Sequence, residues 1–293
     1  MHWTDQKERS NTFTLRLILW IALHLRRGFT RLLLHPITLY YLILSPRIRR
    51  SSKDFLSTAM GKKVGLAGVY RQILVFASTI LDRVFLLTNR HELFDVTIEN
   101  PQVITELLEV NQGAILLGSH LGSFEVLRTL GLSRDSLKLK VLMHYEHNQM
   151  ISSILDGLNP DIAETVIDLN QADSLIKAAE FVNQGYLLGM LGDRSANDER
   201  NIKVQFMGRE TSIPTGPVLL ATIFKVPVVL FFGIYLGKNR FRIIFEKLCD
   251  APSISKSERD TFVNEYTRNY VGRLEHYARK YPYNWFNFYD YWK

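Results

Sequence analysis

The chain has 293 residues, 46% of them apolar, and a formal net charge of +7. That length and apolar content can bury a real core, and they exclude both a disordered chain and a polytopic membrane protein. A single cysteine, Cys249, excludes an internal disulfide and fits a reducing compartment, the cytoplasm or the membrane face that borders it.

The charge is uneven. Residues 1–53 carry ten Lys or Arg and two acids, whereas the rest of the chain carries 26 basic and 27 acidic residues. A nucleic-acid enzyme shows its basic patch on the body as well, so nucleic acid is not an expected partner. The stretch FTLRLILWIALHLRRGFTRLLLHPITLYYLILSPRIRR, Phe13–Arg50, is apolar but broken by Arg. It has no charge-free window of ~18 residues, which argues against a clean spanning helix. It also lacks the small-residue cleavage site of a signal peptide. Apolar runs interleaved with Arg suit helices lying in a membrane interface, with guanidinium heads reaching lipid phosphates. A tilted span and a helix pair packed on the body are the other readings. The expected organisation is a basic amphipathic membrane-anchoring segment over 1–53 and one domain over 54–293.

The body begins with VGLAGVYRQILVFASTILDRVFLLT, Val64–Thr88, a long apolar helix pattern. Asn100 and Pro101 read as a helix start, and Gly113 as its left-handed stop. Strand-length apolar runs then follow at 114–119, 139–144, 165–169, 186–192, 226–234 and 241–248. Helical patterns lie between several of them, at Phe124–Leu132, Asn148–Leu158, Ala172–Asn183 and Pro217–Lys225. This alternation predicts an α/β fold with a mixed, largely parallel central sheet flanked by helices. A last helix over about Lys256–Tyr281 opens on a capping box, Ser255 to Glu258.

Within that pattern, GAILLGSHLGSFEVL raises a chemical question. An apolar strand run ends on His120, and an acid, Glu125, follows five residues later in the first turn of the next helix. The carboxyl edge of an open α/β sheet is where sites form. An acid placed there can hold one imidazole nitrogen and leave the other to take a proton from a substrate. The spacing alone equally describes a histidine satisfied by packing. The stretch does not fit the nucleophile elbow G-x-S-x-G, so Ser119 and Ser123 are weak nucleophiles and direct attack by an acceptor is favoured.

GSHLGSFE resembles the H-x4-D/E motif of the lysophospholipid acyltransferase superfamily. Later blocks of that superfamily have counterparts in order: Asp193-Arg194 at a strand end, F-x-G-R at Phe206–Arg209, and P-x-G-P at Pro214–Pro217. The branch most similar is that of the late acyltransferases of lipid A biosynthesis, and within it the group found with aryl polyene clusters, whose members share a tail like YPYNWFNFYDYW, Tyr281–Trp292.

The resemblance implies an acyltransferase at the cytoplasmic face of a membrane. His120 is then the general base and Glu125 orients it. The donor is an acyl carrier protein or acyl-CoA thioester, and the acceptor is a hydroxyl or amine of a membrane lipid. No cofactor beyond that co-substrate and no metal are implied. Substrate-binding residues are expected at Asp193, Arg194, Gly208, Arg209 and Gly216. Arg194 suits an oxyanion of donor or acceptor, or a salt bridge to Asp193 or a neighbour. Gly216 opens a helix that could hold an anion or simply be capped. The P-x-G-P block lacks the Glu of glycerolipid members, which counts against a glycerol-3-phosphate-type acceptor. The aromatic tail is expected to pack on the body, with membrane contact as the second reading. A thioester or lipid hydrolase, and a non-catalytic lipid-binding protein, are the alternative functions.

Overall fold

A computed structural model describes residues 27–128, 137–144, 158–195 and 200–292. The start of the basic segment and most of the helix expected over Asn148–Leu158 fall outside them.

Among the described residues three helices come first: α1 (Arg27–Leu44), α2 (Pro46–Met60) and α3 (Leu66–Leu87). The second starts with Pro46 at its first turn and stops at Gly61, whose φ of +64° suits a residue without a side chain. It runs through residue 53, where the charge composition changes. The first helix lies on the third through Leu34, Thr30 and Thr38. Arg27 fastens it by a two-pronged ion pair to Asp82, at 2.9 and 2.8 Å. Burial pushes the Asp82 carboxyl up, and the guanidinium opposes that shift.

The sheet follows. Its strands are β1 (Asp95–Glu99), β2 (Ala114–Gly118), β3 (Leu139–Met143), β4 (Val166–Asp168) and β5 (Leu187–Leu191). Helix α4 (Gln102–Glu109) links the first two strands, and α5 (Ser174–Asn183) precedes β5. A separate hairpin, β6 (Asn201–Phe206) with β7 (Arg209–Pro214), leads to α6 (Gly216–Phe224). Long strands β8 (Val228–Gly237) and β9 (Arg240–Cys249) complete the sheet, and α7 (Arg259–Lys280) carries the chain to its tail. The strand order is β1-β9-β8-β2-β5-β3-β4. Within this sheet, among the described residues, only the β8–β9 pair is antiparallel. The expected mixed, largely parallel α/β sheet is therefore the one formed.

Period-two alternation sorts the core into two layers. Ile115, Leu117, Leu188, Leu230 and Phe232 face α6 and α7, where Ala221, Tyr270, Leu274 and Tyr277 meet them. Ala114, Leu116, Leu187, Val229 and Phe231 face the other way, towards Ile104 of α4. Both faces are covered, which is why these strands read as unbroken apolar runs.

Some boundaries differ from the sequence expectation. Asn111, not Gly113, takes the left-handed turn after α4, with φ +48°. Gly113 is needed for close approach instead, since a Cβ there would lie 2.1 Å from the Val182 carbonyl oxygen. Glu258 does take the Ser255 N–H, at 2.9 Å, but α7 begins only at Arg259.

The tail returns across the sheet's carboxyl edge. Trp285 is fully buried, stacked on Phe55 at 5.1 Å and on Phe206 at 5.3 Å. Its backbone carbonyl accepts a hydrogen bond from Gln72 of α3. Trp285 thus ties α2, α3, the hairpin and the tail into one layer. Trp285→Ala is expected to destabilise the fold by about 3–5 kcal/mol. Urea unfolding should show the midpoint falling with little change in slope.

Candidate active site

Strands β2 and β5 are neighbours and parallel, with Gly118 paired to Leu191. Residues just past their ends therefore arrive side by side at the carboxyl edge of the sheet. Those residues are His120 and Asp193. His120 Nδ1 donates to Asp193 Oδ1 at 2.9 Å, and the same oxygen accepts the His120 backbone N–H at 3.0 Å. Asp193 Oδ2 accepts from Asn287 Nδ2 at 2.8 Å. Asn287 Oδ1 in turn accepts from Arg194 Nε at 2.6 Å, and Arg194 Nη2 reaches the Phe286 carbonyl at 3.3 Å.

The tail braces both partners from behind. Phe286 N–H bonds the His120 carbonyl at 2.9 Å, and the Tyr291 hydroxyl bonds the Asp193 carbonyl at 2.9 Å. Beyond His120 the chain turns at Gly122, with φ +85°. There it touches β8 backbone to backbone: Ser123 N–H bonds the Gly233 carbonyl at 2.7 Å. A Cβ on either Gly122 or Gly233 would lie 2.1 Å from a facing carbonyl oxygen, so both positions require glycine.

Glu125 is not the acid that meets His120. It is buried at the start of the next helix and pairs with Arg83 of α3 at 2.9 Å and with Arg128 at 3.5 Å. Arg128 also donates to Thr165 at 2.8 Å. The turn at Gly122 carries the chain onto the middle of β8, at Gly233, and the Nδ1 position is already filled by Asp193. A buried carboxylate then finds its compensation in the two guanidinium groups. The expected His120–Glu125 contact gives way to His120–Asp193.

The electrostatics suit a neutral histidine beside a permanent anion. Burial lowers the His120 pKa, and the Arg194 charge lowers it further; the charge and hydrogen bond of Asp193 pull the other way without restoring it. For Asp193, burial pushes the carboxyl up, but His120, Arg194 and Asn287 outweigh it and hold the group at about 2. A carboxylate only accepts, so the proton of the neutral ring sits on Nδ1. Nε2 is left with its lone pair, on a side chain that keeps 28% of its surface exposed.

The other sequence candidates are scattered. Arg194 belongs to the His120–Asp193 cluster, but its guanidinium is turned onto Asn287, Phe286 and the ring of Tyr289, 5.8 Å away. Gly208, at φ +79°, follows Met207, at φ +56°, in the turn of the β6–β7 hairpin. Arg209 pairs with Asp54 of α2 at 2.8 Å and lies over Trp292 at 4.1 Å. Gly216 begins α6 after Thr215, whose N–H and hydroxyl both bond the Arg200 carbonyl. Sequence reasoning singled out the aromatic tail and missed Asn287 within it. The signal was available: Asn287 is a polar residue set among aromatics that were expected to pack on the body.

A family model described as bacterial lipid A biosynthesis acyltransferase matches residues 79–293. No curated protein matches the chain. The protein is thus a transferase, a lipid acyltransferase, with an acyl donor and a lipid acceptor as its substrates. It belongs to the bacterial lipid A biosynthesis acyltransferase family. Arg83, His120, Asp193 and Asn287 all lie inside the matched range, whereas α1 and α2 precede it.

Asp193→Asn keeps the shape but allows the wrong ring nitrogen to carry the proton. Its kcat is expected to fall by about 10²–10⁴ while the protein stays folded. With His120 as the base, the acid limb of wild-type kcat/KM should lie below 6.5, because burial and Arg194 lower the His120 pKa and the ring stays unprotonated to lower pH. A steady-state pH series with both proteins checks both expectations.

Proposed function

We propose that the protein moves a fatty or polyene acyl group from an acyl carrier protein or CoA thioester to a hydroxyl or amine of a membrane lipid, with His120 as general base. The observation that carries the proposal is the His120–Asp193 contact at the strand edge, in a chain of a lipid acyltransferase family. His120 Nε2 takes the acceptor's proton as its oxygen or nitrogen attacks the thioester carbonyl carbon. The imidazolium that forms is stabilised by the Asp193 anion. As the tetrahedral intermediate collapses, the carbon–sulfur bond breaks and the departing thiolate takes the proton from Nε2. The products are an ester or amide and a free thiol. No enzyme nucleophile enters the sequence.

The working place is the cytoplasmic face of a membrane. Helix α1 exposes Phe29, Leu32, Leu39, Tyr40, Ile43 and Leu44 at helical spacing, with Leu32 64% and Ile43 65% exposed. Its cationic groups are in part turned inward. Arg27 holds Asp82, Arg31 holds Tyr235 and the Lys238 carbonyl, and Arg49 caps the helix at Leu42 and Ile43. The apolar stripe, more than the charge, is therefore the contact with the acyl region of the bilayer. Among the described residues no helix is long and apolar enough to cross a membrane, which fits a helix lying in the interface.

Two measurements test this reading. Purified protein should transfer label from a thioester to a lipid acceptor, and His120→Ala should lose transfer while staying folded. Full activity in His120→Ala, or acyl release to water as the dominant reaction of the wild type, overturns it. For the membrane face, Ile43→Glu is expected to weaken binding to anionic vesicles by about tenfold or more, since burying such a side chain contributes ~1.5–3 kcal/mol. Vesicle co-sedimentation reads that change, and unaltered binding argues against α1 as the contact.

A further inference from the structure

Asn287 joins the two charged groups nearest the base. Its amide cannot turn over. A guanidinium offers only donors and a carboxylate only acceptors, so Oδ1 must face Arg194 and Nδ2 must face Asp193. Asn287 is 2% exposed, so no solvent stands ready to replace either bond. Its place along the tail is fixed from both sides, by Phe286 on the His120 carbonyl and by Tyr291 on the Asp193 carbonyl.

The bridge has two effects on Asp193. Oδ1 takes both N–H groups of His120, so the plane of the carboxylate is set only when Oδ2 is also held, and Asn287 holds it. Asn287 also stands between neighbours of opposite charge. Asp193 and Arg194 are adjacent in sequence, and the amide occupies both the Arg194 Nε and the Asp193 Oδ2.

We infer that Asn287 is a positioning residue for acyl transfer: by spanning Asp193 and Arg194 it keeps the carboxylate on His120 Nδ1 and keeps the guanidinium off that carboxylate. The inference rests on the reading of His120 as the base. Without the bridge, Arg194 pairs with Asp193 directly and draws it from the imidazole, so the ring loses its fixed tautomer.

The test uses the full-length protein with a thioester donor and a lipid acceptor. Asn287→Ala is expected to lower kcat by about tenfold to a hundredfold. The donor KM should stay within about twofold. Adding Arg194→Gln to Asn287→Ala should recover part of the lost kcat, because it removes the group that captures Asp193. Asn287→Asp keeps a partner for Arg194 but sets a second carboxylate against Asp193. It should move the acid limb of kcat/KM to higher pH.

Unchanged kcat in Asn287→Ala together with an unmoved acid limb in Asn287→Asp overturns the inference. So does a loss that falls wholly in KM, or no recovery in the double variant. Loss of fold in both single variants, read by near-UV circular dichroism, overturns it too, since Asn287 is then structural alone. His120→Ala is run in parallel. If it stays active, the base reading fails; if it is inactive while the Asn287 variants behave as wild type, only the present inference fails.

Discussion

A carboxylate with no exposed surface must find donors on every side, and Asp193 sets the terms for much of this structure. Its donors come from two distant stretches of chain, His120 after β2 and Asn287 in the tail, and Asn287 in turn holds Arg194, the residue next to Asp193. Each requires its own support. The turn at Gly122 needs a glycine-to-glycine contact with β8, the tail needs Trp285 seated between Phe55 and Phe206, and the strand ends need β2 and β5 to run parallel and adjacent. The parallel sheet, the tail and the histidine thus depend on the cost of leaving one buried charge unsatisfied.

Glu125 meets the same cost separately. It lies close to His120 in sequence, yet it is satisfied by Arg83 from the helical layer and by Arg128 one turn on. Two buried carboxylates at one sheet edge are therefore assigned different cations. The assignment leaves the imidazole as the neutral partner of an anion. A protonated histidine there would be bought at the expense of burial and of Arg194.

Much of this fold was legible before any coordinates. Strands β2, β3, β5, β8 and the middle of β9 are covered on both faces, so apolar runs mark them directly. Strand β1, DVTIE, and the hairpin strands NIKVQF and RETSIP are half exposed, and their mixed composition gave no such run. His120 was legible as a strand-end residue, and Asp193 as another. Their partnership was not, because the order of strands in a sheet is not written in the linear spacing of residues. Spacing favoured Glu125, and the β2–β5 adjacency decides for Asp193. Composition also misplaced part of the N-terminal charge, since Arg27, Arg31 and Arg49 serve the protein itself.

The dependence of residue 120 on residue 287 has a consequence for biogenesis. A nascent chain that has exposed β2 and β5 can pair His120 with Asp193, but Asn287 and the Phe286 bond to the His120 carbonyl are still to be synthesised. Closing contacts so distant in sequence is slow compared with local helix formation. During translation, then, a growing chain whose helix α1 has already emerged carries an unfinished His120 cluster, the base of the proposed reaction. On the proposed reading of α1 as the membrane contact, such a chain reaches a lipid surface well before it can acylate anything there.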